Sequence, residues 1–330
     1  MPEPYSAEAP SAKVVCRSAS MMTMLPLALA SLVLLLVQPM PPAVEPWPVG
    51  LGRIALGVVG RHTGGADFDA RLEAVSRSFL GRPFRLSPLG EGPGTTPDPD
   101  PIFDTRHFDC VTFVEEVIAL SWFPAEPPAV EALQQLRYAH GEIRYGARNH
   151  LMMAQWIPHN VAAGFVTDVT REVAGMALPT AELVLRPEDY LGREGRALRL
   201  EPRDQPTGRF ELPVIPPELM ATLVGRIPHG TLITTVRTLR PGVPYRESHV
   251  GLVVVVGGER RIRHAAQAAG RVVESPLRAY VERAARERAW PVTGFHLLGV
   301  AKRPPDWLLA QLEHDRSGPT GGGRVPPVEP

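Results

Sequence analysis

Cysteine is almost missing from this chain. Only Cys16 and Cys110 occur, and an apolar segment separates them. Two thiols placed that way cannot supply the framework of a small disulfide-stapled domain. Excess charge is missing too: 35 basic residues balance 35 acidic ones, so no net field points to nucleic acid or to an acidic ligand. No internal repeat recurs along the sequence. Pro (37) and Gly (30) are plentiful, yet stay below the level of a disordered chain. A length of 330 residues allows one large domain or two small ones.

Residues 21–37 read MMTMLPLALASLVLLLV, preceded by Lys13 and Arg17 and followed by Pro39, Pro41 and Pro42. A basic flank, an apolar run and a breaker form an export signal. At about 17 residues the run lies between a signal-peptide core and a short membrane span. Ala43 is the best cleavage candidate, but no clear A-x-A site follows, so an uncleaved membrane anchor is a second reading. A buried core helix is a third, disfavoured because the run has no polar face. Residues 1–48 are therefore expected to be an export signal or anchor with a Pro-rich linker, and the protein to be exported to the periplasm or cell envelope. Outside the cytoplasm an unpaired thiol is a liability, so Cys110 is expected to have chemistry to do.

Cys110 lies in HFDCVTFVEEV, residues 107–117. Phe113, Val114, Val117 and Ile118 fall on one helical face, with Glu115 and Glu116 on the other. Asp109 stands where an N-cap belongs, which puts Cys110 in the first helical turn. Unpaired backbone N–H groups and the positive end of the helix dipole favour a thiolate there. The alternative is a small buried cysteine that packs as an apolar residue.

Upstream, Phe68, Leu72, Val75 and Phe79 have helical spacing, with Gly81 as the stop. The Gly-, Pro- and Asp-rich stretch 87–101 is a loop long enough to frame a site. Downstream, 128–136 reads as a helix. In 143–159, Arg148, His150 and Trp156 either form a basic, aromatic-lined wall for a polar ligand or are structural, the arginine holding carbonyls beside packed rings. The FVTDVTREV stretch (165–173) reads as a strand turning into a helix capped near Asp168 or Thr170. Residues 177–217 have weak periodicity and read as an insertion or a long connection, with one strand at 197–200.

Strands are expected at 231–236, 248–256, 259–266 and 294–301, helices at 277–288 and 307–312, and a disordered tail from 317. Gly257-Gly258 is a hairpin turn. With those two residues at the turn, Val256 faces Glu259 and His249 falls opposite Ala266. His249 and His264 then share one face as diagonal neighbours, roughly 7–8 Å apart at the backbone. One imidazole is then placed to orient the other, as a base and its orienting partner require. The remaining reading has one histidine capping a backbone group at the strand edge. His107, His140, His159, His229 and His296 have no such partner in the pattern.

Asp109-Cys110-Val111-Thr112-Phe113, then His249-Val250-Gly251-Leu252, then Ile262-Arg263-His264-Ala265 resembles papain-like cell-wall cysteine hydrolases of the NlpC type, in their N-acetylmuramoyl-L-alanine amidase-like branch. The resemblance runs from about Phe68 to Val300 and includes Phe79-Leu80-Gly81 and Arg148-Asn149-His150. It implies an α+β fold in which a helix bearing the nucleophile packs on a central antiparallel sheet, within one hydrolase domain over 49–305. By position it implies Cys110 as nucleophile, His249 as base and His264 as orienting residue, and a peptidoglycan or muropeptide amide as substrate. The chain departs from the pattern at Phe84, where the family carries tyrosine, at His229-Gly230 in place of Gly-Asp, and at Ala266 in place of serine.

The main expectation is thus amide hydrolysis through a Cys110 thioester without cofactor or metal, with Asp109, Arg148, His150 and Trp156 about the substrate and Arg148 on a substrate carboxylate. Two other classes compete. A zinc hydrolase would use Cys110, His249 and His264 as ligands. A non-catalytic wall-binding module would keep the scaffold without the reaction.

Overall fold

The computed structural model describes residues 67–317. Cys16, the apolar segment 21–37, the Pro-rich linker, the expected domain start at 49 and the tail beyond Ser317 lie outside the described residues.

Helix α1 (Phe68–Ser78) starts at Asp67, whose carboxylate accepts the Ala70 amide at 2.9 Å, and it buries Phe68, Leu72 and Val75. Helix α2 (Cys110–Trp122) and helix α3 (Glu126–Arg137) follow and pack on each other. A π-turn over Met152–Trp156 runs into α4 (Ile157–Ala162). Strand β1 (Val166–Asp168) leads to α5 (Thr170–Ala174), where Asp168 accepts the Thr170 amide at 2.9 Å.

The 177–217 stretch has regular structure of its own and packs into the main core through Leu183, Leu185, Tyr190 and Leu212. Strands β2 (Thr180–Leu185) and β3 (Gly208–Pro213) pair antiparallel, with α6 (Arg193–Ala197) between them. The strand expected at 197–200 is absent. Leu198 and Leu200 bury their side chains, while Arg199 takes φ +55°, a left-handed conformation no strand admits.

After α7 (Pro217–Leu223) come β4 (Thr231–Arg237), β5 (Glu247–Val256), β6 (Glu259–Ala266) and β7 (Arg271–Pro276), the last not foreseen from sequence. Helix α8 (Leu277–Ala285), β8 (Val292–Val300) and α9 (Asp306–Ser317) complete the described chain. The main sheet has order β1-β8-β4-β5-β6-β7, and every neighbouring pair is antiparallel.

Successive residues of β5 serve opposite layers, as the period of a strand requires. Val250, Leu252 and Val254 pack in the core that includes Phe113, Val117 and Ile118 of α2. Val253, with Ile262 and Phe295, packs against Leu277, Tyr280 and Val281 of α8. Apolar burial on both faces explains the near-continuous valine run of β5. The fold is therefore mixed α and β, layered about one antiparallel sheet, with the Cys110 helix on one of its faces.

Candidate functional site

Helix α2 begins at a capping box. The Asp109 carboxylate accepts the Val111 and Thr112 amides at 3.1 and 2.8 Å, and the Asp109 amide donates to the Thr112 hydroxyl at 3.0 Å. Its other oxygen accepts the Ser87 amide at 3.0 Å, so this carboxylate, although it lines the cleft, is engaged by the backbone. The cap leaves the amide of Cys110, first in the helix, with no partner inside it.

The Cys110 thiol is free and half-buried. The expectation of a low-pKa thiol does not hold. Burial, reinforced by the Asp109 carboxylate, pushes the thiol up to about 12, although the Val250, Cys110 and Val111 amides face the sulfur and favour its anion. Desolvation outweighs the helix terminus here. The charged face expected on α2 is also corrected: Glu115 and Glu116 are both buried.

The β5–β6 hairpin turns at Gly257 and Gly258, both with positive φ (58° and 83°), as a two-residue turn of this hand requires. Its ladder runs from Val256↔Glu259 to Leu252↔Arg263. His249 and His264 lie just past that last pair, on one face, and share a hydrogen bond between His249 Nε2 and His264 Nδ1 of 2.6 Å. Their rings meet edge to face, with centroids 4.7 Å apart. Two local features aim them. A bulge at Ser248 shifts the β4–β5 register just before His249. Gly251 leaves room on the shared face, since a Cβ there would come within 2.7 Å of Ile262 Cδ1 and 3.2 Å of His264 Cβ.

Burial is the first cause that lowers both imidazoles, His249 to about 3 and His264 to about 4, with Arg283 adding to each. Both rings are neutral at pH 7. Their mutual hydrogen bond does not suit the zinc arrangement considered from sequence. Nitrogens bound to one tetrahedral zinc at about 2.0–2.1 Å stand more than 3 Å apart and point at the ion, not at each other.

Sequence reasoning missed Tyr280. Its ring lies 6.1 Å from that of His249 and 5.6 Å from that of His264, and its hydroxyl is hydrogen-bonded to Thr235 Oγ1 at 2.7 Å. Nothing in the helical pattern of α8 distinguishes this tyrosine from a core residue.

Cys110 and His249 line the same cleft, of about 740 Å³, with His264 behind His249. The 87–101 loop borders it through Ser87 and Asp98, and the 177–217 unit closes another side through Leu198 and Arg199. Trp156 takes no part. It is fully buried, and its Nε1 donates to Glu115 Oε1 at 2.8 Å, while Arg137 donates to the other oxygen at 2.8 Å. Arg148 borders the cleft but is held by Glu91 and Asp98, so its charge is already matched. His150 also borders it; Nε2 donates to the Tyr145 carbonyl at 2.7 Å, and burial pushes its pKa down to about 3. Of the four residues expected about the substrate, three reach the cleft, and Trp156 is structural.

Residues 74–286 match the AmiA-like family, described as N-acetylmuramoyl-L-alanine amidase-like. The chain belongs to that family. The amidase-like assignment spans well over half of the sequence and marks the chain as an amidase-like cell-wall hydrolase. Among solved structures, a Legionella pneumophila protein superposes with TM-score 0.68 at 23% identity, over 77% of this chain and 94% of its own. An N-acetylmuramoyl-L-alanine amidase from Bacteroides uniformis superposes with TM-score 0.57 at 21% identity, over 71% and 98%. A Bacteroides fragilis protein described as a putative xylanase superposes at TM-score 0.54 and 22% identity, over 68% and 99%. At these identities the likeness is one of fold. No curated protein sequence matches this amidase-like chain.

Proposed function

We propose that this amidase-like protein hydrolyses an amide bond of peptidoglycan or muropeptides through a thioester on Cys110. One observation carries the reading: Cys110, at the start of α2, opens onto the same cleft as His249, whose ring is hydrogen-bonded to His264 at 2.6 Å.

With Nε2 of His249 engaged by His264, Nδ1 is the nitrogen left to receive a proton. Thiol and imidazole are both neutral at rest, so the proton leaves sulfur as the sulfur attacks, rather than from a preformed ion pair. The S–H proton passes to His249 while sulfur bonds to the amide carbonyl carbon. The Cys110 amide donates to the developing oxyanion, a contact worth about 3–4 kcal/mol in comparable sites. The C–N bond then breaks, and the imidazolium returns the proton to the departing amine. Water attacks the thioester, gives its proton to His249 and releases the carboxylic acid product, and the thiol is restored. His264 holds the ring and its tautomer throughout.

A helix that begins at Cys110 and an antiparallel strand that carries His249, both opening onto one cleft, support the NlpC-type, papain-like comparison. Export, and anchoring through residues 21–37, rest on the sequence of that segment and belong to the same proposal.

Purified murein incubated with the protein and analysed by mass spectrometry tests the reaction. New amine and carboxyl termini at one amide bond are expected, lost in Cys110→Ala and after iodoacetamide treatment but retained with a chelator. Cleavage by the alanine variant would end the proposal, and murein binding without products would favour the wall-binding alternative.

A further inference from the structure

The charged side chains that border the cleft are Asp98, Asp109, Glu115, Arg137, Arg148 and Arg199. Five of them are committed within the protein. Arg137 pairs with Glu115 at 2.8 Å, both buried. Arg148 is clamped between Glu91 and Asp98, two carboxylates against one guanidinium. Asp109 accepts backbone amides on both oxygens. Arg199 differs: it is exposed, and no carboxylate among the described residues forms an ion pair with it. Its guanidinium donates to the Pro97 carbonyl at 3.3 Å, which leaves most of its five N–H donors available.

The backbone holds this arginine in place. Leu198 and Leu200, on either side, are 3% and 9% exposed, and the Tyr145 hydroxyl donates to the Leu198 carbonyl at 2.8 Å. Between these anchors Arg199 takes the left-handed conformation at φ +55°, disfavoured for any residue with a Cβ, and its amide donates to the Arg196 carbonyl at 3.0 Å. A strained, non-glycine residue at the rim of a cleft, whose cation has no ion-pair partner among the described residues, is a feature that ligand recognition explains.

We propose that Arg199 receives a carboxylate of the ligand, the role expected from sequence for Arg148, and that the cleft selects acidic peptides on this basis. The inference rests on the muropeptide reading above and deepens it. A guanidinium fork matches a carboxylate with two parallel hydrogen bonds, so the preference is for a free carboxylate over its carboxamide.

Muropeptides released from murein by a muramidase are divided into two pools, one native and one with its carboxylates converted to carboxamides by carbodiimide and ammonia. Each pool is titrated calorimetrically into the full-length Cys110→Ala protein, alone and with Arg199→Gln or Arg199→Lys added. The native pool is expected to bind about tenfold to a hundredfold more tightly than the amidated one. Arg199→Gln erases that difference, and Arg199→Lys, with charge but no fork, keeps part of it. Equal binding of both pools, or a preference that survives Arg199→Gln, overturns the inference while murein cleavage by the wild-type protein leaves the proposed reaction standing. Binding of neither pool overturns it together with the proposed substrate class.

Discussion

His264 Nδ1 stands 2.6 Å from His249 Nε2, past the last paired rung of the hairpin that carries both. If His249 is the proton acceptor for Cys110, its Nε2 carries a hydrogen that His264 Nδ1 accepts. His264→Ala is therefore expected to lower kcat by about a hundredfold or more, with KM little changed, because the base loses its orientation rather than its chemistry. The acid limb of the pH profile should also move upward, since water admitted beside His249 relieves its desolvation. Steady-state kinetics across pH check both, and an unchanged pH profile would reduce His264 to a packing residue.

Both imidazoles are held below the ordinary histidine value, first by burial, to about 3 and about 4. Activity should therefore persist on the acid side to near pH 4–5, below the pH at which an unperturbed histidine of about 6.5 would be half-protonated. Stability behaves differently. The unfolded chain takes up these protons as pH falls below about 6.5, whereas the folded state resists until about 3–4, so stability declines across that window. Thermal melts from pH 7 to 4 would show the decline, and a smaller one in the His249→Gln, His264→Gln double variant.

Trp156→Phe removes the indole N–H that donates to buried Glu115 Oε1 at 2.8 Å. An unsatisfied buried acceptor costs about 1–3 kcal/mol, so denaturant midpoints should fall accordingly. KM should stay close to wild type, which would confirm that the tryptophan lies behind the cleft and not in it.

Glu116 is fully buried, neither oxygen has a well-formed hydrogen bond among the described residues, and burial together with the nearby Asp104 carboxylate raises its pKa well above normal despite the adjacent Asp104 backbone. The unfolded carboxyl ionises near pH 4.5 and the folded one only at higher pH, so the folded state loses relative stability as pH rises through that interval. Glu116→Gln removes this loss. The variant should melt higher than wild type at pH 8, with the advantage shrinking toward pH 4, and a lower melting temperature at both pH values would refute this account of Glu116.

Local signals carried a large share of the reading. The Asp109 cap, the two-glycine turn and the apolar runs of β4, β5 and β8 are short-range features, set by a few neighbouring residues, and they sit where the pattern puts them. Elements whose form depends on distant partners were read less well. β7 owes its place to pairing with β6, and the 197–200 segment follows Tyr145 and two buried leucines rather than its own weak periodicity.

The same division runs through the site. Sequence alone determined that a cysteine opens a helix and that two histidines share one face of a hairpin, because caps, turns and strand alternation act within a dozen residues. Only the tertiary structure decided how those groups are charged and which cations remain available. Burial overrode the helix dipole at Cys110, Glu91 and Asp98 claimed Arg148, and Glu115 drew Trp156 into the core. Desolvation and ion pairing depend on what surrounds a side chain in space, and much of what surrounds these lies far away along the chain.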